Sequence, residues 1–127
     1  IRKMLGGGMR QTGVIAAAAI YALEHNAGRL GEDHRRAAAL ADVLARFPQL
    51  GAGPARTNMV FMAPKDLDTA AFASFLRSRG IAVSGRYGTL RWVTHLDVGD
   101  TAIGRVAEAC EAFFDRPGSS GSRSAHA

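Results

Sequence analysis

The stretch LRWVTHLDV, Leu90 to Val98, begins as a strand and ends in a cluster of polar groups. Strand side chains alternate between faces, so Leu90, Trp92 and Thr94 share one face and Arg91, Val93 and His95 share the other. The first set suits a core. The second puts a guanidinium into a run that otherwise asks to be buried. A buried arginine is costly unless an anion meets it. Either Arg91 lies on a solvated edge, or something negative waits on its side of the sheet. The pattern leaves both open.

Working outward, IAVS (residues 81–84) reads as a short strand, GRYG (85–88) as a loop and TLRWVT (89–94) as the returning strand of a hairpin. TNMVFMA, Thr57 to Ala63, reads as a third strand, with Pro64 and Lys65 turning the chain. Asp68 is placed to cap a helix from Thr69 to about Arg79, with Phe72 and Leu76 on one face and Gly80 as its C-terminal stop. Asp100 is expected to cap a last helix whose stripe is Ile103, Val106, Ala107, Cys110, Phe113 and Phe114. Upstream, GVIAAAAIYALEHN (Gly13 to Asn26) is a helix apolar nearly all round, which asks for cover on most sides. The following helix, RLGEDHRRAAALADVLARFP, carries Leu30, His34, Ala37, Ala41 and Leu44 at helical spacing and stops at Pro48.

The expected fold class is α+β: a small, mainly antiparallel sheet with helices on one face, preceded by two helices. The other sheet face is left to pack on something else. Residues 1–50 form a glycine-rich lead-in and linking helices, 51–117 a small domain, and 118–127 a low-complexity tail expected to be disordered. The chain lacks an initiator Met and reads as a piece of a longer protein. The first helix then implies a missing neighbour.

The 127 residues can hold one domain with a core. The net charge is +5, and fourteen of the sixteen basic residues are arginine. A pI of about 10.3 invites a nucleic-acid partner. However, Arg29, Arg35, Arg36, Arg46, Arg77, Arg79, Arg105 and Arg116 are spread along predicted helices among Asp and Glu, and no basic–aromatic alternation appears. Solvated helix faces are the preferred reading, with no nucleic acid as partner. No segment is long and apolar enough to span a membrane, and no signal peptide is visible. One cysteine, Cys110, excludes an internal disulfide and a Cys-rich zinc site and reads as inert core.

Groups for chemistry are sparse. His25, His34, His95 and His126 show no metal-ligand spacing, and no metal is expected. GGGMR resembles an anion-cradling loop feeding a helix, but it lacks the spacing of either common phosphate motif, and a flexible hinge is the preferred reading. His95 and Asp97 could act as a pair, though fixing the turn is the more ordinary role. For Arg91, a planar guanidinium is the preferred partner of a carboxylate held at fixed geometry.

Three stretches, RKMLGGGMRQTGVIAAAAIYALEHN, TNMVF and LRWVTHLDV, resemble the C-terminal part of the low-specificity L-threonine aldolases. The likeness runs from Ile1 to about Phe114. It implies the C-terminal portion of a fold-type I enzyme using pyridoxal 5'-phosphate, and cleavage of threonine or allo-threonine to glycine and acetaldehyde. It implies that Arg91 binds the α-carboxylate of the amino-acid substrate, and that Lys3 and Arg10 lie at the active-site or subunit boundary. The Schiff-base lysine is expected upstream, so neither Lys3 nor Lys65 takes that role, and the fragment alone is expected to be inactive. A cytoplasmic homodimer or homotetramer is implied for the complete protein. Trp92, where a smaller aliphatic residue is usual, should face the helix layer. A related β-eliminating lyase and a non-catalytic, subunit-binding fragment remain as alternatives.

Overall fold

The computed structural model describes residues 1, 3–86 and 88–115, with Arg86 known in its backbone only. The expected tail, 118–127, lies outside the described residues, as do Arg116 and His126. The chain divides into two compact units, Ile1–Gly31 and Glu32–Ala127.

The first unit holds helix α1, Thr12–His25, followed by a 3-10 turn at Ala27–Arg29. None of α1's residues is buried, and Val14, Ile15, Ile20, Tyr21 and Leu23 are all exposed. The sequence expects this helix to be covered; within its own unit nothing covers it. Tyr21 stacks on His25 at 4.1 Å, one turn away, and the His25 Nδ1 lies 3.0 Å from the Tyr21 carbonyl oxygen.

The second unit carries most of helix α2 (Leu30–Ala45), strand β1 (Met59–Met62), helix α3 (Thr69–Ser78), strands β2 (Ser84–Arg86) and β3 (Thr89–Val93), and helix α4 (Asp100–Phe114). The sheet order is β1-β3-β2, antiparallel throughout. Val60 pairs with Trp92 and Met62 with Leu90, and all four are buried. They form one core with Ala37, Leu40 and Leu44 of α2, Phe72 and Leu76 of α3, and Val106, Ala109 and Cys110 of α4. The helices thus cover one sheet face. Trp92 faces them as expected, its indole N–H donating to the Met62 sulfur at 3.1 Å. Burial pushes the Cys110 thiol up to about 12, so it is inert at neutral pH.

Asp68 caps α3 as its position suggests, its carboxylate accepting from the N–H groups of Ala70 and Ala71, both at 3.0 Å. Gly80 follows in the left-handed region at φ 74°. The Arg105 guanidinium donates to the carbonyl of Arg79 at 2.9 Å and so ties α4 to the end of α3.

Four local expectations are corrected. The first hairpin strand is Ser84–Arg86 rather than residues 81–84. Ile81 and Val83 pack against the core as an extended connection, and backbone pairing begins only where Ser84 meets Arg91. The buried stripe of α2 is Ala37, Leu40, Val43 and Leu44; Leu30 and His34 are exposed, because the helix is rotated to bring Leu40 and Val43 inward. Asp100 is the first residue of α4 and makes no cap bond; Gly99 holds the cap position. Asp100 is drawn instead to Arg36, whose Nε donates to its carboxylate at 2.8 Å. Arg36 is therefore not a solvated-face arginine: its side chain is 12% exposed and also meets Glu32 at 3.4 Å and Asp33 at 3.7 Å.

Thr94 is fully enclosed, at 1% exposure. Its hydroxyl donates to the Asp33 carbonyl at 2.8 Å, its N–H donates to the Asn58 carbonyl at 2.9 Å, and its carbonyl accepts from the Asn58 amide at 2.8 Å. Thr94→Val keeps the shape and leaves a buried carbonyl with a lost donor. It should lower unfolding free energy by about 1–3 kcal/mol, read as a reduced midpoint in urea denaturation with an unchanged slope.

The hydrogen bond and charge of Arg36 hold the Asp100 carboxyl below its ordinary 3.8. A lowered folded pKa means that the pair's stabilisation is present above the ordinary value and is lost as pH falls through the folded one. Asp100→Asn should therefore flatten the fall in stability below about pH 4 and leave the profile above about pH 5 parallel to wild type. Acid titration of the melting temperature reads this directly. Added salt should shrink the difference, because Asp100 is exposed.

Candidate functional site

The sheet face away from the helices is where alternation sends Arg91. Strand β3 runs exposed, buried, exposed, buried, exposed from Thr89 to Val93, so Arg91 stands on the open face between buried Leu90 and Trp92. Its register partners are Phe61 on β1 and Ser84 on β2. Residues directly opposite in an antiparallel pair share a face. Phe61, Arg91 and Ser84 therefore form a row across all three strands. With Gly85 and Thr89 they line an open depression of about 450 Å³. Phe61 is 46% exposed there, a large apolar surface for a free sheet face.

No acidic residue lines this depression, and Arg91 has no hydrogen-bond or ion-pair partner among the described residues. Arg91 is on the accessible face of the central strand, not on an edge strand, and no described residue compensates its charge. Such a site can take a carboxylate or a similar planar anion.

The other expected residues are placed as follows. Lys3 and Arg10 are exposed and belong to the first unit, before α1. Lys65 follows β1 in a turn, its N–H donating to the Gln49 carbonyl at 3.3 Å, and it does not line the depression. His95 and Asp97 fix a turn: the Asp97 N–H donates to the His95 Nδ1 at 3.3 Å, and the Val98 N–H to the His95 carbonyl at 2.8 Å. No group of three or more His, Cys, Asp or Glu side chains suited to a metal occurs among the described residues. No described helix is long and apolar enough to cross a membrane.

A pyridoxal-type cofactor asks for a lysine amine and a partner for its pyridine nitrogen. Among the described residues the depression offers neither a lysine nor an acid. It offers a guanidinium to an anion and does not by itself fit the cofactor. Phe61 and Ser84 are the site residues that the sequence does not single out. Placing the hairpin turn at Gly88, which has φ 77°, would have set Ser84 opposite Arg91.

Comparison with known proteins agrees with the stretches noted in the sequence. The chain is 42% identical over 117 residues to the low specificity L-threonine aldolase of Escherichia coli K12, covering 91% of this chain and 34% of that protein. It is 40% identical over 113 residues to the aldolase vrtJ of Penicillium aethiopicum, covering 85% of this chain and 28% of that protein. Low-specificity L-threonine aldolase 1 of Arabidopsis thaliana is 38% identical over 101 residues, covering 75% of this chain and 28% of that protein. The chain thus spans about a third of the length of these curated relatives. The sequence profile of the beta-eliminating lyases matches residues 1–66, more than half of the chain, and the chain belongs to the beta-eliminating lyase family.

Proposed function

We propose that this chain supplies the substrate-carboxylate site of a pyridoxal-phosphate-dependent lyase of the low-specificity threonine aldolase type. The observation that carries it is Arg91: a guanidinium on the open sheet face, lining a depression in which no described residue is an acid or pairs with it. The whole enzyme would cleave threonine or allo-threonine to glycine and acetaldehyde. The Cα–Cβ bond breaks, the β-hydroxyl proton leaves, and a proton is added at Cα. Pyridoxal phosphate would be held by residues outside this chain and would supply the electron sink for that cleavage.

Arg91 has two tasks. Its planar fork takes both oxygens of the substrate carboxylate, which fixes the amino acid by one end. With that end fixed, rotation about Cα is restricted and the scissile bond can be held in one orientation. Arg91 moves no proton. Lys3 and Arg10 are proposed at the boundary of the active site or of a subunit contact, on the strength of the resemblance. A cytoplasmic homodimer or homotetramer goes with that reading. The exposed apolar side chains of α1 support the subunit contact.

The family description supports a second reading, elimination at the β-carbon of another amino acid. The products separate the two: glycine and an aldehyde for the aldolase, ammonia and a 2-oxo acid for the eliminating lyase.

The cofactor-holding lysine is proposed to lie in the part of the relatives that this chain does not span. The 127-residue chain alone, mixed with pyridoxal phosphate and threonine, should then release no acetaldehyde above a cofactor-only control. Turnover by the chain alone would overturn this division of labour.

In the whole enzyme, Arg91→Lys keeps the charge and loses the fork. Charged hydrogen bonds of this kind are worth roughly 1.5–3 kcal/mol each. Losing one of them together with orientation should cost about two orders of magnitude in kcat/KM, with both kcat and KM affected. Cofactor absorbance and the unfolding midpoint should stay at wild-type values, because the side chain faces away from the core. Steady-state kinetics beside the absorbance spectrum checks this; near wild-type kcat/KM would remove Arg91 from the site.

A further inference from the structure

The row across the open sheet face contains more than the arginine. We propose that the Ser84 hydroxyl is a second donor to the substrate carboxylate, acting beside Arg91, an inference that rests on Arg91's proposed role. Ser84 and Arg91 are direct register partners on β2 and β3 and share the accessible face. Side chains so placed have Cβ atoms roughly 4.5–5.5 Å apart. One small anion can meet both. A carboxylate offers about four lone-pair positions, and a guanidinium fork uses two of them. A hydroxyl one strand away can take a third. The Ser84 side chain is exposed and, like Arg91, has no hydrogen-bond partner among the described residues.

The opposite flank differs in kind. Phe61, the register partner on β1, has no polar atom in its side chain. It walls the depression with apolar surface, which strengthens the charged hydrogen bonds beside it. In the row Phe61–Arg91–Ser84, only Ser84 on β2 can add a third contact. The hairpin is built to allow this. Gly85 pairs with Leu90, and a Cβ at Gly85 would stand 2.8 Å from Leu90 Cδ2 and 3.2 Å from Leu90 Cα, and would strike the Thr89 carbonyl oxygen. Only glycine lets β2 lie this close to β3, and that closeness carries Ser84 to the side of Arg91. Ser84 is thus assigned as a substrate-binding residue that favours a free carboxylate over an amide or ester at the same position.

The test uses the whole, cofactor-loaded enzyme, with glycine binding by calorimetry beside threonine kinetics. Ser84→Ala should raise the glycine Kd and the threonine KM by roughly tenfold. The loss should appear in the threonine kcat/KM, while cofactor absorbance and melting temperature hold. Ser84→Thr retains the hydroxyl and should restore most of the affinity. In an Arg91→Lys background the effect of Ser84→Ala should shrink to about twofold or less, because both residues hold the same group. Wild-type glycine affinity in Ser84→Ala, or an undiminished effect in the Arg91→Lys background, overturns the assignment. If Arg91→Lys itself binds glycine and turns over normally, the carboxylate role of Arg91 falls and Ser84's falls with it. If Arg91→Lys is impaired while Ser84→Ala is not, only the Ser84 assignment is lost.

Discussion

The placement of every residue on the sheet depends on the end of β3, where Thr94 is held by its hydroxyl and by both backbone polar groups. The hydroxyl reaches Asp33 at the start of α2, and the backbone groups reach Asn58 just before β1. A slip of one residue in a strand turns every side chain to the opposite face. Such a slip would bury Arg91 and expose Trp92. Anchoring Thr94 to two separate elements excludes it. The same anchor sets Phe61 opposite Arg91, so the composition of the open face follows from a buried threonine that is not part of it.

Two arginines show how charge is handled on the two sides of this unit. Arg36 is nearly enclosed and is met by Glu32, Asp33 and Asp100. Arg91 is accessible and meets no acid among the described residues. An arginine neutralised by three carboxylates ties elements together. One left uncompensated beside an aromatic ring is available to an anion from outside.

Much of this could be read from the residues in order, and the failures share a physical cause. Alternation in Leu90–Thr94 shows which side chains lie together, and Asp68 two and three residues before free N–H groups shows its own cap. Both are local. Residues 81–84 read as the first hairpin strand because Ile81 and Val83 are apolar, whereas they pack on the core and the strand is Ser84–Arg86. Asp100 reads as a cap from its local position alone, because its partner, Arg36, lies 64 positions away. Asn58 gave no signal, since its amide serves a carbonyl 36 positions along the chain. Arg91 was visible as an anomaly, but its neighbours Phe61 and Ser84 depend on pairings that only the folded sheet makes.

Cys110 bears on the durability of the chain. The thiolate is the form that attacks aldehydes and oxidants, and a thiol pushed up to about 12 has almost none at neutral pH. The sulfur is also sealed within the core. A protein of the proposed kind would generate acetaldehyde throughout its working life. The one sulfhydryl of this chain is withdrawn from hemithioacetal formation, from sulfenic acid and from mixed disulfides. Ageing through the thiol of Cys110 is thereby closed off for as long as α4 stays docked on the sheet.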